Sequence, residues 1–507
     1  MLRFRPALVY MFSCLRTAAP DSLQVGASQS AWPAFARGIR LVRSQAAGWH
    51  GVLQHVAKAG CFSNGKSEMN IFYVVAGTGG RFLCDASIRD SNLVAGLRGA
   101  GHRVAVLPVY LPFDDDGIEE ASCGENEIYA GATGVWIAQR FPWFGRIPPV
   151  MRRPLDSPRI LRWAAARCVP LSQRPTVEMT LEMLKGEEGI HGRTIADMAR
   201  RVSLLGRPDA VVLSASLLLG LAGPLRKTLK APVGCFFHDE LRWIQGMPEE
   251  VQSRVLDMLA RRSSEADFLI APSAGEAELV SKRLRTGEQR IHVVRPGIRT
   301  EGFAPEPVAV RPPTVGYAAR MSDGSGLGVL VEAFARLKRQ RPLLRTLRLR
   351  VTGGALDEDS DFLEGLAARL SETGMAGDVE KHDDFSRRGR LDFLHGLSAF
   401  SVPCPSGLAW NMTAMEAMAA GIPVVEPENG GAAELVRESG GGLVYDPSDI
   451  EQYTEALRRV LEDVEGARQM GLAGRKHVLA NCAVERAAAE LATVCEKASA
   501  CLRPQRA

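Results

Sequence analysis

The chain has 507 residues, 46% of them apolar and 24% charged, a length beyond one ordinary core and a balance that excludes a disordered or fibrous protein. Its formal charge is +4, yet residues 1–68 hold eight Lys or Arg against Asp21 and Glu68, a local balance of +6 that leaves −2 for the rest. A near-neutral body lacks the clustered cations that nucleic acid requires, so no nucleic acid partner is expected. The ten cysteines include no Cys-x-x-Cys pair and the nine histidines show no metal-ligand spacing, which predicts reduced thiols, a cytoplasmic setting and no metal site. The longest apolar stretch, around Leu213 to Leu225, is broken by Ser, Gly and Pro, so no membrane span is expected; peripheral membrane contact stays open.

Residues 1–68 are basic, nearly free of acid and rich in Ala and Ser, with no long apolar run ahead of a small-residue cleavage site. Two readings fit: an organelle transit peptide, or a true start at Met69 with the upstream residues outside the fold. The second is preferred, because no periodic pattern upstream suggests a packed element. From Met69 the chain alternates short apolar runs with helical patterns. IFYVVA (71–76), VAVLPV (104–109), AVVLS (210–214), VGCFF (233–237), FLIA (268–271) and IHVV (291–294) each read as a buried parallel strand. Helices are expected at Ile88 to Ala100, closed by Gly101, and at Glu249 to Glu265. Residues 113–207 break this rhythm with prolines and three tryptophans and read as an insertion. The 69–295 region is therefore one Rossmann-like domain, and the Pro- and Gly-rich stretch 296–313 is a linker.

A second alternation fills 314–480: strand TVGY, helix 328–340, strand LRLRVTG, helix 362–373, a strand at Val379, helix 390–397, strand FSV, helix 412–420, strand IPVV, helix 432–438 and strand GGLV. Residues 481–507 read as a C-terminal helix and tail. The fold class is α/β, with two doubly wound domains facing a cleft. The segment from Pro405 to Val444 carries the strongest functional signal. Its short helix MEAMAAG leads into an apolar strand, a Gly-Gly turn and a helix that opens with a glutamate. This layout puts Glu416 and several helix N-terminal N–H groups at the carboxyl edge of a parallel sheet, where phosphorylated ligands are held.

Taken together, GYAAR, RVTGG, MEAMAAGIPVV and GGAAELV in the second half resemble the nucleotide-binding domain of glycosyltransferase family 4 enzymes with the two-Rossmann GT-B fold. The first half resembles the same family through GTGGRFLCDASIRDSNLVAGLRGAGHRVAVLPVYLP, ADFLIAPSAGEAELV and VVRPGI. The likeness spans roughly residues 70 to 480. It implies a nucleoside diphosphate sugar as donor, an acceptor that is a glycan, lipid or small molecule, and a retaining, metal-independent transfer with no separate cofactor. By the same resemblance, Arg320 grips the diphosphate, Glu416 accepts from the ribose hydroxyls, and His238 reaches the donor sugar or acceptor.

Each assignment has a plainer alternative. Arg320 ends a strand at the cleft, where a planar five-donor fork suits phosphate, but a surface arginine in an ordinary ion pair sits there too. Glu416 would otherwise be a helix carboxylate near a positive helix end. The loop Ser406 to Asn411, with Leu408, and the first helical residues Met412 and Thr413 are expected to aim backbone N–H groups at the phosphates. Gly77, Gly79 and Gly80 form a close-approach loop on the acceptor side, although a tight strand-to-helix turn alone needs such glycines. They do not spell G-x-G-x-x-G, so a nicotinamide cofactor is not indicated. His238 is a strand-end histidine followed by two acids, with a structural role as its alternative. Glu434 is read as a helix cap rather than a ligand.

Two positions depart from the family. Ser325 stands where a lysine five residues after Arg320 is usual, and Leu408 stands where a glutamate eight before Glu416 usually reads the donor sugar. Losing a charge-assisted hydrogen bond costs on the order of 1.5 to 3 kcal/mol, and losing one transition-state donor roughly a hundredfold in rate. A non-catalytic nucleotide-sugar-binding protein is therefore carried as an alternative, and an epimerase of the same fold as a weaker one.

Overall fold

A computed structural model describes residues 68–76, 83–109, 180–303 and 311–502. The basic extension up to 67, residues 113–179 of the expected insertion, Gly77, Gly79 and Gly80, linker residues 304–310 and the last five residues lie outside the described residues. Two parallel six-stranded sheets carry the fold.

The first sheet comprises β1 (Asn70–Ala76), β2 (Arg103–Val109), β3 (Ala210–Leu213), β4 (Val233–Phe236), β5 (Phe268–Ala271) and β6 (Ile291–Val293), in the order β2-β1-β3-β4-β5-β6. Its strands are unbroken apolar runs because both faces are covered. Ile71, Tyr73 and Val75 point to one face and Phe72 and Val74 to the other, and all five are buried. Around this sheet lie α1 (Asp85–Gly99), α2 (Gly192–Ser203), α3 (Ala222–Leu229), α4 (Glu240–Gln245), α5 (Glu249–Ser263) and α6 (Ala274–Leu284). α1 starts three residues earlier than the apolar pattern suggests, at Asp85, and Gly101 follows its end with φ +89, the left-handed turn for which glycine was expected.

The second sheet comprises β7 (Thr314–Ala318), β8 (Arg348–Thr352), β9 (Val379–His382), β10 (Ala399–Phe400), β11 (Val424–Pro427) and β12 (Gly442–Tyr445), ordered β12-β11-β10-β7-β8-β9. Its helices are α7 (Leu327–Gln340), α8 (Ser360–Glu372), α9 (Arg387–Leu394), α10 (Met412–Ala419), α11 (Gly431–Ser439), α12 (Ile450–Glu462) and α13 (Val464–Asn481). Strand order reverses between β7 and β10, so a crevice opens outside their carboxyl ends, beside the loops that lead into α7 and α10. Gly353, after β8, holds this edge tight. Its φ is +131, and a Cβ there would lie 1.9 Å from the Ala319 carbonyl oxygen after β7.

The last helix, α14 (Val484–Leu502), crosses back and packs on the first lobe. Ala487, Ala488, Leu491, Ala492 and Cys495 join the buried cluster that contains Ile71, Tyr73 and Leu97. A small residue permits the approach: a Cβ on Gly96 of α1 would come within 2.9 Å of Val484. Among the described residues, two crossings between the lobes run side by side. Ile298 N–H donates to Cys482 O at 2.9 Å and Val484 N–H donates to Ile298 O at 3.0 Å, which ties the two crossings together.

Candidate functional site

The site is built from the amino end of α10 upward. Asn411 is its N-cap, accepting from the Ala414 N–H at 2.9 Å, and the Thr413 hydroxyl donates to Asn411 Oδ1 at 3.0 Å and to the Ala318 carbonyl at 3.1 Å. The Thr413–Ala318 contact seats the helix end on the carboxyl end of β7, two residues before Arg320. Asn411 also donates to both oxygens of Glu426 on β11, at 3.3 Å. Every residue of α10 is buried, Met412 and Glu416 included. Apolar packing thus fixes the position and direction of the free N–H groups in its first turn.

One of those N–H groups, that of Met412, and the N–H of Ala409 in the preceding loop meet carboxylates from the opposite lobe. Asp239 Oδ1 accepts from the Ala409 N–H at 2.5 Å, and the Asp85 carboxyl is hydrogen-bonded by the Met412 N–H. Leu83 N–H donates to Gly353 O at 2.9 Å, and Leu83 and Ile88 are counted in the second lobe's apolar core. The start of α1 is therefore docked on the carboxyl edge of the second sheet.

His238 is 3% exposed and pairs through Nδ1 with Asp239 Oδ2 at 2.8 Å, while its Nε2 is buried without a hydrogen-bond partner. Glu240 closes this turn by accepting from the His238 N–H at 2.5 Å and the Ser216 N–H at 2.9 Å. Burial opposes the imidazolium, but the charge and hydrogen bond of Asp239 outweigh it and raise the His238 pKa. Burial likewise works to raise Asp239, while His238 and the Ala409 N–H hold it below the usual carboxylate value. Asp85 is pushed up to about 7, chiefly by burial, against the pull of His238 and the Met412 N–H. Glu426 is pushed up to about 8, again chiefly by burial.

Arg320 follows β7 at the crevice, and its guanidinium is engaged. Nε and Nη2 donate to the two oxygens of Asp359 at 2.9 Å each, and Nη2 also pairs with Glu358. Glu416 is 1% exposed and held by Arg390, with Nε to Oε2 at 2.8 Å and Nη2 to Oε1 at 2.9 Å. Ser325 packs its hydroxyl on that of Ser322 at 2.9 Å, and its carbonyl accepts from Tyr317. Ser406 is exposed and touches Cys404 Sγ at 3.3 Å. Leu408 is half-buried, and its carbonyl accepts from Gly431 N–H at 2.7 Å. Glu434, expected as a cap, instead accepts from Arg295 at 2.9 Å.

The structure thus brings together the α10 amino end with Asn411, Met412 and Thr413, and across the lobe boundary His238. Asp239 was visible in the sequence only as one of the two acids after His238, and nothing there singled out Asp85, Arg390, Glu426 or the buried network of Arg89. In that network Arg89 donates to Asp90 at 2.7 Å and to Ser214 O at 2.6 Å, Tyr73 donates to Asp90 at 2.8 Å, and the guanidinium lies 4.5 Å from the Phe236 ring centroid. A cavity of about 700 Å³ lies apart from this site, between α7, α8 and the turn after β12, lined by Asp323, Glu332, Asp361, Phe362, Tyr445 and Asp449 among others. None of the expected donor residues lines it. Among the described residues no group of three or more His, Cys, Asp or Glu is arranged to hold a metal ion. No described helix is long and apolar enough to cross a membrane.

Because its folded pKa lies above the ordinary 4.5, Glu426 makes the protein lose stability as pH rises from about 4.5 to about 8, by at most roughly 1.4 kcal/mol per pH unit. Glu426→Gln removes that titration. Urea denaturation at pH 6 and pH 8 should give a flatter profile for the variant and a relative gain at pH 8; parallel profiles would show that Glu426 is already ionised in the folded protein.

Residues 181–301 match the family described as Glycosyltransferase Family 4, and residues 299–477 match Glycosyl transferases group 1. A GDP-mannose-dependent alpha-(1-6)-phosphatidylinositol monomannoside mannosyltransferase of Mycolicibacterium smegmatis is 34% identical over 206 residues, 37% of this chain and 51% of that protein. A D-inositol 3-phosphate glycosyltransferase of Nocardioides sp. is 28% identical over 214 residues, 39% of this chain and 46% of that protein. The matches span about half the length of these curated relatives. Among solved structures, a sucrose-phosphate synthase of Thermosynechococcus elongatus superposes with a TM-score of 0.62 at 18% identity, over 85% of this chain and 100% of that one. Anabaena HepE in complex with UDP-glucose gives 0.59 at 14% identity, over 85% and 100%. At such identities these neighbours speak for the fold. The two sequence matches run in tandem from 181 to 477, and with the paired parallel sheets they make this chain a family 4-like glycosyltransferase of GT-B architecture.

Proposed function

We propose that this chain transfers a sugar from a nucleoside diphosphate sugar to an acceptor bound by the first lobe, with retention and without a metal. The observation that carries this reading is the meeting of opposite lobes at the amino end of α10, where two N–H groups are held by carboxylates beside an unpartnered histidine nitrogen. Such N–H groups suit an anion. In the donor complex, diphosphate oxygens take the places of Asp85 and of Asp239 Oδ1, and Arg320 exchanges Glu358 for phosphate. Glu416 receives the ribose. Negative charge grows on the departing diphosphate, and the fixed N–H groups with Arg320 stabilise it where it forms. His238, its Nδ1 held by Asp239 Oδ2, presents Nε2 to the sugar or the acceptor hydroxyl. Lobe closure keeps water from the donor. The M. smegmatis relative is GDP-mannose-dependent and the Anabaena neighbour binds UDP-glucose, which supports a nucleotide sugar of this kind.

A second reading is a binding protein without turnover. Ser325 and Leu408 favour it, since both replace charged family residues. Incubation with UDP-, GDP- and ADP-sugars separates the two: transfer or slow hydrolysis of one donor is expected, and tight binding with neither would leave only the binding role. Arg320→Ala is expected to abolish the donor-induced rise in Tm, and an unchanged rise would remove Arg320 from the site.

Asp85 gives a pH test. Above pH of about 7 it is anionic and competes with phosphate for the Met412 N–H, so wild-type affinity for UDP-glucose or GDP-mannose should fall as pH rises from 6 to 8. Their diphosphate diesters do not titrate in that range. Asp85→Asn should flatten this dependence and tighten binding at pH 8 by roughly three- to tenfold. A variant that binds more weakly at pH 8 would make Asp85 a donor-binding group instead of a competitor.

A further inference from the structure

The Arg390–Glu416 pair is buried in the second lobe, where α9 meets α10. α9 opens with arginines at 387, 388 and 390. Arg387 turns toward the lobe crossing, donating to the Arg299 carbonyl at 3.2 Å with its guanidinium 5.5 Å from the Phe303 ring centroid. Arg390 turns inward instead. It is 3% exposed, donates from Nη1 to Phe385 O at 3.0 Å, and meets both Glu416 oxygens with its fork. A two-point contact of this kind blocks rotation of the carboxylate, which a single lysine contact does not.

The surroundings say why such a cation is useful. The loop from Ala409 to Met412 at the start of α10 already gathers Asp239 and Asp85 from the other lobe and Glu426 from β11. An unpaired carboxylate at 416 would add one more negative group beside an incoming diphosphate, in surroundings where water screens little. Paired with Arg390, Glu416 is neutral as a unit yet keeps lone pairs free, because each carboxylate oxygen offers about two acceptor positions. A cis-diol matches that remaining capacity.

We propose that Arg390 is a positioning residue for the donor: it locks the Glu416 carboxylate in one orientation for the ribose hydroxyls and cancels its charge beneath the diphosphate. This rests on the donor reading above. The competing account is a buried ion pair that only staples α9 to α10, whose removal would change stability alone.

The test compares affinities, by isothermal titration calorimetry, for UDP and GDP and for their 2′,3′-dideoxy counterparts. The wild type should prefer the ribonucleotide by roughly tenfold or more, and Glu416→Gln should erode that ratio. Arg390→Lys keeps the charge but loses the fork, and should cut the ratio to below about threefold. The double variant Arg390→Met with Glu416→Gln removes both charges of the pair together, so it keeps the measurement possible if the single variant unfolds, and its ratio should approach one. A ratio lost in Glu416→Gln but intact in Arg390→Lys, with only Tm lowered, overturns the positioning role and leaves the donor reading standing. A wild type that binds both nucleotide forms equally overturns both.

Discussion

The contact on which the rest depends is the capture of two N–H groups, those of Ala409 and Met412, by carboxylates from the opposite lobe. A buried N–H group demands an acceptor, and neither the Ala409 loop residue nor α10 can move to find one, because Ala409 and all eight residues of the helix are buried. Acceptors must therefore come to it. Asp85 at the start of α1 and Asp239 after β4 do so. An anion that took these two donors would displace the Asp85 and Asp239 carboxylates from them.

The wider architecture serves this contact. Strand order reverses between β7 and β10, so the loops into α7 and α10 diverge and leave room outside the sheet edge. On the other side, α1 is pressed between its own sheet and the returning α14, which holds Asp85 at the boundary. The side-by-side crossings at Ile298 and Cys482 to Val484 tie the two lobes together beside that boundary. Arg320 is kept in place meanwhile by Asp359 and Glu358, whose charges prevent a lone guanidinium at the crevice.

Much of the fold was legible because parallel strands covered on both faces leave unbroken apolar runs: FLIA matches β5 residue for residue, and the other runs fall within a few residues of the observed strands. Helix ends were less legible. α1 begins at Asp85, before its apolar stripe, and because its buried Arg89, Asp90, Ser91 and Asn92 are hydrophilic, no apolar period announces the start. In the site, Glu416 and the α10 loop were visible from local motif, but their partners were not. Arg390 lies 26 residues from Glu416 and Asp239 170 residues from Ala409, and pairings of that range are created by chain crossings that leave no local periodicity. One signal was available: the acid pair after His238, which placed charge at a strand end where a second lobe could use it.

A crystal structure of the chain with a bound UDP- or GDP-sugar tests the central claim most directly. The account predicts diphosphate oxygens within roughly 3 Å of the Ala409 and Met412 nitrogens, with Asp85 withdrawn and Asp239 retaining only His238. Carboxylates still seated on both N–H groups, with the nucleotide in the cavity between α7 and α8, would contradict it.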